Sequence, residues 1–226
     1  MSRDDDGRIG EAAARLLIAA ATRWQAAQLQ AAHNRAARPA RLVVAVDGHG
    51  AAGKTTIAGA VAAATGAALV HTDDFFQPWT SAGPDAGPTH GEPGAAGAAV
   101  GRYYDWRRLR AEALEPLRAG RGARYRRFDW ERGAGLDGTV TVAPGDLILL
   151  EGVFSAAPEL SDLVDRAVFV DTPPAERLRR LRAQVKPEEW DDDWLLAEQA
   201  YFDRTRPPAS FDLTVRGACS VAGRLT

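Results

Sequence analysis

Residues 48 to 55 read Gly48-His49-Gly50-Ala51-Ala52-Gly53-Lys54-Thr55, a full match to the pattern GxxxxGK[ST]. No other stretch limits the fold so tightly. A loop of this type closes its backbone N–H groups around a polyphosphate, and it works only with a strand before it and a helix after it, whose positive N-terminal end faces the same anion. The flanks supply both. Leu42-Val43-Val44-Ala45-Val46 is a short apolar run suited to a buried strand, and Thr56-Ile57-Ala58-Gly59-Ala60-Val61-Ala62 can form a helix. Within the loop, Lys54 reaches the β- and γ-phosphates and the Thr55 hydroxyl ligates Mg²⁺. The chain is strongly biased against lysine: of 28 basic residues only 54 and 186 are Lys. A lysine at 54 is therefore chosen for its compact ammonium, where a planar guanidinium would be too bulky.

The remaining sequence sets outer bounds. A chain of 226 residues, 46% hydrophobic, has enough apolar material for a large core in one or two domains. A net charge of −2 gives no global field for nucleic acid or an anionic membrane, so neither is expected as a partner. The single cysteine, Cys219, excludes an internal disulfide and suits a reducing compartment. No apolar run approaches the length of a membrane span. The start, Ser2-Arg3-Asp4-Asp5-Asp6, has the wrong charge for a targeting peptide. A cytoplasmic protein is the expectation.

Along the chain, residues 8 to 37 form an Ala-rich stretch. Ile9, Ala13, Leu16, Leu17, Ala20, Trp24 and Ala27 recur at helical spacing, and Arg38-Pro39 stops the pattern. The chain thus divides into an N-terminal helical extension, 1–40, and a phosphate-loop domain, 41–226. The extension is expected to pack on its own domain; the other reading is a helix for a partner or for a homo-oligomer. From 41 onward, apolar runs alternate with helical stretches. Ala67 to Val70 leads to Asp73-Asp74, Leu147 to Leu150 leads to Glu151, and Ala167 to Val170 leads to Asp171; Leu213-Thr214-Val215 is a short last strand. This pattern predicts an α/β fold with a parallel sheet covered by helices on both faces. Ligands bind such sheets at the carboxyl ends of the strands, where three of these runs meet an acid. Residues 77 to 102 read as a long Gly/Pro-rich loop containing His90. Thr139 to Val142 alternates and is expected to pair with Ala123 to Phe128 as an antiparallel ribbon.

The chemistry follows from what surrounds the loop. A base-reading NKxD element, needed by a switch GTPase, is absent from the sequence. A small-molecule kinase needs a carboxylate to take the acceptor's proton, a second acid for Mg²⁺, and mobile arginines for the transferred group. Asp73, after the second strand, is the candidate base, against a turn or helix-cap role. Glu151, at a buried strand tip, suits Mg²⁺ or its water. His71 is expected to be structural. Arg177-Leu178-Arg179-Arg180-Leu181-Arg182, after the helix-start signals Pro173-Pro174-Ala175-Glu176, is the candidate lid, against an ordinary solvated face.

These blocks, in this order, resemble the uridine kinase family of phosphate-loop kinases, with nicotinamide riboside kinases as near relatives. The resemblance spans about 41 to 217. It includes Val46-Asp47-Gly48 through Lys54-Thr55-Thr56, and Asp73-Asp74-Phe75-Phe76 with Pro78. It also includes Tyr104-Asp105-Trp106, Phe128-Asp129-Trp130, Thr139 to Val142 with Pro144, Asp146 and Glu151-Gly152, and Phe169-Val170-Asp171-Thr172 with Arg177-Leu178. It implies that Gly48 through Thr56 and Arg180 bind ATP, that Asp73 and Lys54 are catalytic, and that Thr55 and Glu151 hold Mg²⁺. It further implies that Asp105 holds ribose hydroxyls, Phe128 stacks on the base, and Arg177 faces the substrate. Three blocks depart from the family. Arg182 is followed by Ala183-Gln184 instead of ending in an Arg-Asp pair, Trp130-Glu131-Arg132-Gly133 has no pyrimidine-reading His, and the 77–102 loop is unusually rich in Gly and Pro.

The expected activity is transfer of the γ-phosphoryl of ATP to a primary hydroxyl of a nucleoside-like small molecule, uridine or cytidine first. Nicotinamide riboside or a sugar-like alcohol is the alternative acceptor, and a non-catalytic nucleotide-binding regulator is the alternative of a different class. A pure sensor would have no need of Asp73.

Overall fold

The computed structural model describes residues 3–34, 41–77, 103–184 and 192–217. Arg38-Pro39, most of the 77–102 loop with Pro78 and His90, and Cys219 lie outside the described residues.

Five strands form one parallel sheet. They are β1 (Leu42–Asp47), β2 (Ala68–His71), β5 (Leu147–Glu151), β6 (Arg166–Asp171) and β7 (Leu213–Arg216), in the order β2-β5-β1-β6-β7. The central strands are short and apolar throughout because both faces are covered, and alternate residues serve opposite sides. Val43, Ile148, Leu150 and Phe169 enter one core; Leu42, Val44, Val46, Leu149 and Val168 enter the other.

The second of these cores is closed by α1 (Arg3–Asn34) and α2 (Lys54–Thr65). Ala13, Ala14, Leu17 and Ala21 of α1 bury against the same cluster as Ile57, Ala58 and Val61 of α2. Small side chains on α1 allow this close approach, and the Leu17 side chain is fully covered. The N-terminal helix therefore lies on the sheet that follows it. The first core is closed by α3, α5 and the ribbon. Helix α3 runs as Trp106–Arg108, a π-helical stretch Leu109–Leu114 and Glu115–Arg118. Helix α5 (Asp192–Ala200) continues into a π-helical turn, Tyr201–Thr205. Between β6 and α5 lies the basic helix α4 (Pro174–Gln184).

The ribbon pairs β3 (Ala123–Phe128) with β4 (Leu136–Val142) antiparallel, as the alternation predicts. Its register shifts between Arg126 and Arg127. Ala123 and Tyr125 point inward by simple alternation, which would bring Arg127 in next. The residue left out of the pairing is Gly138 of β4, at φ 48°, and beyond it Arg127 is exposed and Phe128 buried.

Candidate active site

The strand order decides where the acids meet. Residue Val46 of β1 sits opposite Glu151 of β5, and His71 of β2 sits opposite Glu151 from the other side. The phosphate loop leaves the end of β1, so Glu151 stands beside it without any special turn. The loop geometry is demanding. Gly48 has φ 146°, and a Cβ there would come within 2.7 Å of the Val170 carbonyl oxygen, a distance side-chain carbons do not adopt. Gly53 and Ala51 both have positive φ, 93° and 57°, which aims successive backbone groups into one concavity. Lys54 begins α2, and its ammonium donates to the carbonyls of Gly48 at 2.8 Å and His49 at 2.9 Å. Ala52 is fully buried, and its carbonyl accepts from the Thr172 hydroxyl at 2.8 Å. Thr56 follows Thr55 in the first turn of α2.

Beneath the loop lies Asp47, which is fully buried. Its Oδ1 accepts from the backbone N–H of Gly48 (2.8 Å) and Phe154 (3.0 Å), and its Oδ2 from Ala156 N–H (3.0 Å) and Tyr201 Oη (2.8 Å). One side chain thus ties the loop to the segment after β5 and to the end of α5. Burial pushes its pKa up, against the pull of those donors and of Lys54.

Thr55 and Glu151, which the resemblance assigns to Mg²⁺, lie side by side. The Thr55 hydroxyl lies 3.1 and 3.3 Å from the two Glu151 oxygens. His71 Nδ1 is 2.5 Å from Glu151 Oε1. That contact raises the His71 pKa, burial opposing it. Thr55 and Glu151 are oxygen donors of the kind hard cations prefer. Among the described residues no group of three or more His, Cys, Asp or Glu forms a cage for a metal. Mg²⁺ commonly takes one or two protein carboxylates, with phosphates and water completing its shell.

Asp73 sits in the 3₁₀ turn Thr72–Phe75 that follows β2. Its Oδ1 accepts from Tyr104 Oη at 3.0 Å. As a residue it is open to solvent, yet protein crowds its carboxyl enough to raise the pKa by lost hydration, with Glu151 adding to the rise and Lys54 opposing it. Asp74 points elsewhere, to Tyr125 Oη at 3.0 Å. The two adjacent acids therefore have separate tyrosine partners on separate elements.

The acceptor-side candidates are placed as follows. Asp105 caps α3, its Oδ1 accepting the Arg108 N–H at 3.0 Å. Phe128 is 3% exposed, and its ring lies 5.2 Å from Phe76 and 4.9 Å from Trp130. Trp130 is the open ring at this corner, 56% exposed and 4.7 Å from Phe76. Arg177 is not brought to this corner by any described contact. Its Nη1 is 3.4 Å from Glu198 Oε1 on the phosphate-loop side. Arg180, also on α4, is buried and donates to the Ala51 carbonyl at 3.1 Å and to Glu176 at 2.7 Å. The basic helix is thus docked on the loop, and Glu198 of α5 ties to it as well. Its carboxylate lies 2.6 Å from His49 Nδ1 and accepts the Gly50 N–H at 2.8 Å. Burial alone would raise the Glu198 pKa; His49, the Gly50 N–H and Lys54 outweigh it and hold it low. Sequence reasoning missed Asp47, Tyr104 and Glu198 as site residues. Asp47 and Tyr104 sat within the matched blocks, but nothing local marks Glu198.

Comparisons with known proteins agree with this architecture. No protein-family model matches the chain. A uridine kinase from Halobacterium salinarum is 27% identical over 148 residues, 63% of this chain and 62% of that protein. The chain therefore spans somewhat less than two thirds of the length of this curated relative. Among solved structures, a "possible uridine kinase" from Bacillus stearothermophilus superposes with a TM-score of 0.54 at 23% identity, covering 77% of this chain and 88% of the other. A D-glycerate 3-kinase from Cryptococcus neoformans gives a TM-score of 0.49 at 14% identity, over 88% and 87% of the two chains. The chain has the phosphate-loop kinase fold, and in sequence it is similar to uridine kinase.

Proposed function

We propose that this protein is an ATP- and Mg²⁺-dependent kinase that phosphorylates a primary hydroxyl of a nucleoside-like small molecule, uridine or cytidine first. The observation that carries the reading is the convergence at the carboxyl ends of the strands of Lys54, the Thr55–Glu151 pair and the Tyr104-held Asp73. Similarity to a protein named uridine kinase supports the choice of acceptor. Nicotinamide riboside or a sugar-like alcohol is the second acceptor class, favoured by the lack of a His after Phe128-Asp129-Trp130.

In this reading the loop from Gly48 to Thr56 binds the triphosphate through backbone N–H groups, and the Lys54 ammonium leaves the Gly48 and His49 carbonyls for phosphate oxygens. Thr55 and Glu151 would hold Mg²⁺, which would offset negative charge on the phosphate oxygens. Asp73 accepts the proton of the attacking hydroxyl. The hydroxyl oxygen bonds to the γ-phosphorus, the bond to the β-phosphate oxygen breaks, and ADP leaves. Tyr104 occupies one Asp73 oxygen and so fixes which oxygen takes the proton. Asp105 with the Phe76, Phe128 and Trp130 corner receives the sugar and base, while Arg180 and Arg177 on α4 neutralise the migrating charge. A retained base argues against a non-catalytic regulator.

The described residues contain no helix long and apolar enough to cross a membrane, and a cytoplasmic enzyme acting on a small molecule is the setting proposed. The test is ADP release from Mg²⁺-ATP with a panel of nucleosides, nicotinamide riboside and sugar alcohols. Release above background with one acceptor supports the reading. No release with any acceptor removes it.

A further inference from the structure

Glu198 is a carboxylate on a surface built for anions. Its side chain is 4% exposed, and it reaches the phosphate loop from α5, 148 residues away in sequence. Oε2 takes the Gly50 N–H at 2.8 Å, and Oε1 lies 2.6 Å from His49 Nδ1 and 3.4 Å from Arg177 Nη1. Lys54 lies near enough to act on it electrostatically. Position 50 fits this contact closely, since a Cβ there would meet Glu198 Oε2 at 3.3 Å. The set of partners is the one a phosphate oxygen would take: a loop N–H, an imidazole, a lid guanidinium and the loop ammonium.

We propose that Glu198 competes with a phosphate oxygen for the Gly50 N–H and yields it to the incoming triphosphate, releasing Arg177 from its ion pair at the same moment. The inference rests on the function proposed above. One N–H cannot serve two anions, and a buried carboxylate beside a triphosphate is repelled more strongly than in water. Either the carboxylate withdraws or the nucleotide binds less tightly. Glu198 is followed within three residues by the π-helical turn that begins at Tyr201, the kind of helix irregularity that recurs at functional sites. Arg177 then changes partner from carboxylate to phosphate, so lid engagement is coupled to nucleotide occupancy through a single side chain.

The experiment is titration calorimetry of the full chain with Mg²⁺-ATP and, separately, with inorganic tripolyphosphate. Wild type, Glu198→Gln and Glu198→Ala are compared. Glutamine keeps the size and the acceptor for the Gly50 N–H but removes the charge; alanine removes both. A competing anion predicts that both variants bind both probes more tightly, by about tenfold if one charge contact is relieved. A mere brace for the loop predicts unchanged or weaker binding in both, and that result overturns the proposal. If Glu198→Ala fails to melt cooperatively, Glu198→Gln alone decides the sign. If wild type binds neither probe, the proposed function itself falls and takes this inference with it. Tight wild-type binding with no gain in Glu198→Gln sinks only the inference.

Discussion

Tyr104 donates its hydroxyl hydrogen to Asp73 across 3.0 Å, from the residue before the cap of α3 to the turn after β2. The chain around Tyr104 is bridged to the end of the Asp73 turn, Tyr104 opposite Phe76 with the Asp105 N–H donating to the Phe75 carbonyl, and the tyrosine is 1% exposed, so the carboxylate is held by a donor with little freedom to move. Asp73→Asn should cut turnover by about 10²- to 10⁴-fold, the usual range for losing a general base, with nucleotide affinity nearly unchanged. Tyr104→Phe should lower turnover less. Steady-state rates alongside ATP binding check both. A near-normal Asp73→Asn beside an inactive Asp74→Asn would move the base to Asp74.

Lys54→Ala removes the loop's ammonium and should weaken Mg²⁺-ATP binding by about tenfold or more, since charge-assisted contacts are worth roughly twice neutral ones. Binding by calorimetry and a melting curve separate this from misfolding. A folded variant with wild-type affinity would take Lys54 out of the site.

Thr55 and Glu151 share their hydrogen bonds at 3.1 and 3.3 Å, and loss of either should appear as a higher Mg²⁺ requirement. Thr55→Ala and Glu151→Gln are each expected to shift the half-activating Mg²⁺ concentration upward by about tenfold, in line with the cost of altering metal-site partners. A Mg²⁺ titration of turnover at saturating ATP measures it. Overlapping curves for wild type and both variants would mean the cation is held elsewhere.

Asp105→Asn keeps an oxygen for the Arg108 N–H and so should preserve the α3 cap. Its expected effect is a raised KM for the acceptor with ATP affinity intact. Asp105→Ala also loses the cap and should cost about 1 kcal/mol of stability in denaturant unfolding. Unchanged acceptor kinetics in Asp105→Asn would leave Asp105 as a cap and nothing more.

Glu176 is held at a pKa of about 2 by Arg179 and then Arg180, below its ordinary 4.5. A depressed carboxyl stabilises the fold fully above 4.5 and loses that contribution as pH falls toward about 2. Wild type should therefore exceed Glu176→Gln in stability at pH 6, with the gap narrowing between pH 4 and pH 3. Unfolding curves at those pH values test the sign. A gap that widened on acidification would show that the ion pairs on α4 do not hold it in place.

Much of this was readable from one sequence because it depends on near neighbours. The loop at 48 to 55, the apolar strands and the ribbon follow from spacing and period. Glu151 was legible because a strand tip beside β1 has one place to be. Other features depend on the folded chain. Phe128 is buried just past the point where the ribbon skips Gly138 of β4, which alternation does not encode. Glu198 meets Gly50 across 148 residues, in a helix whose local pattern carries no chemistry. Tyr104 and Tyr125 divide Asp73 from Asp74 only because the segment before α3 and strand β3 come to the same turn from different directions.

The two sides of the nucleotide loop are restrained by different forces. Helix α2 packs on the sheet beside α1, with Ile57, Ala58 and Val61 fully covered, and moving it would open voids throughout a close-packed layer. Helix α4 meets the loop through guanidinium and carboxylate contacts such as Arg180 to Ala51 and Arg177 to Glu198. Dispersion contacts are lost with small displacements, whereas ion pairs can exchange one anion for another at nearly constant energy. The molecule is thus hinged by chemistry: a polyanion bound at the loop should re-pair the guanidinium groups of the α4 side while leaving the α1–α2 side as firm as before.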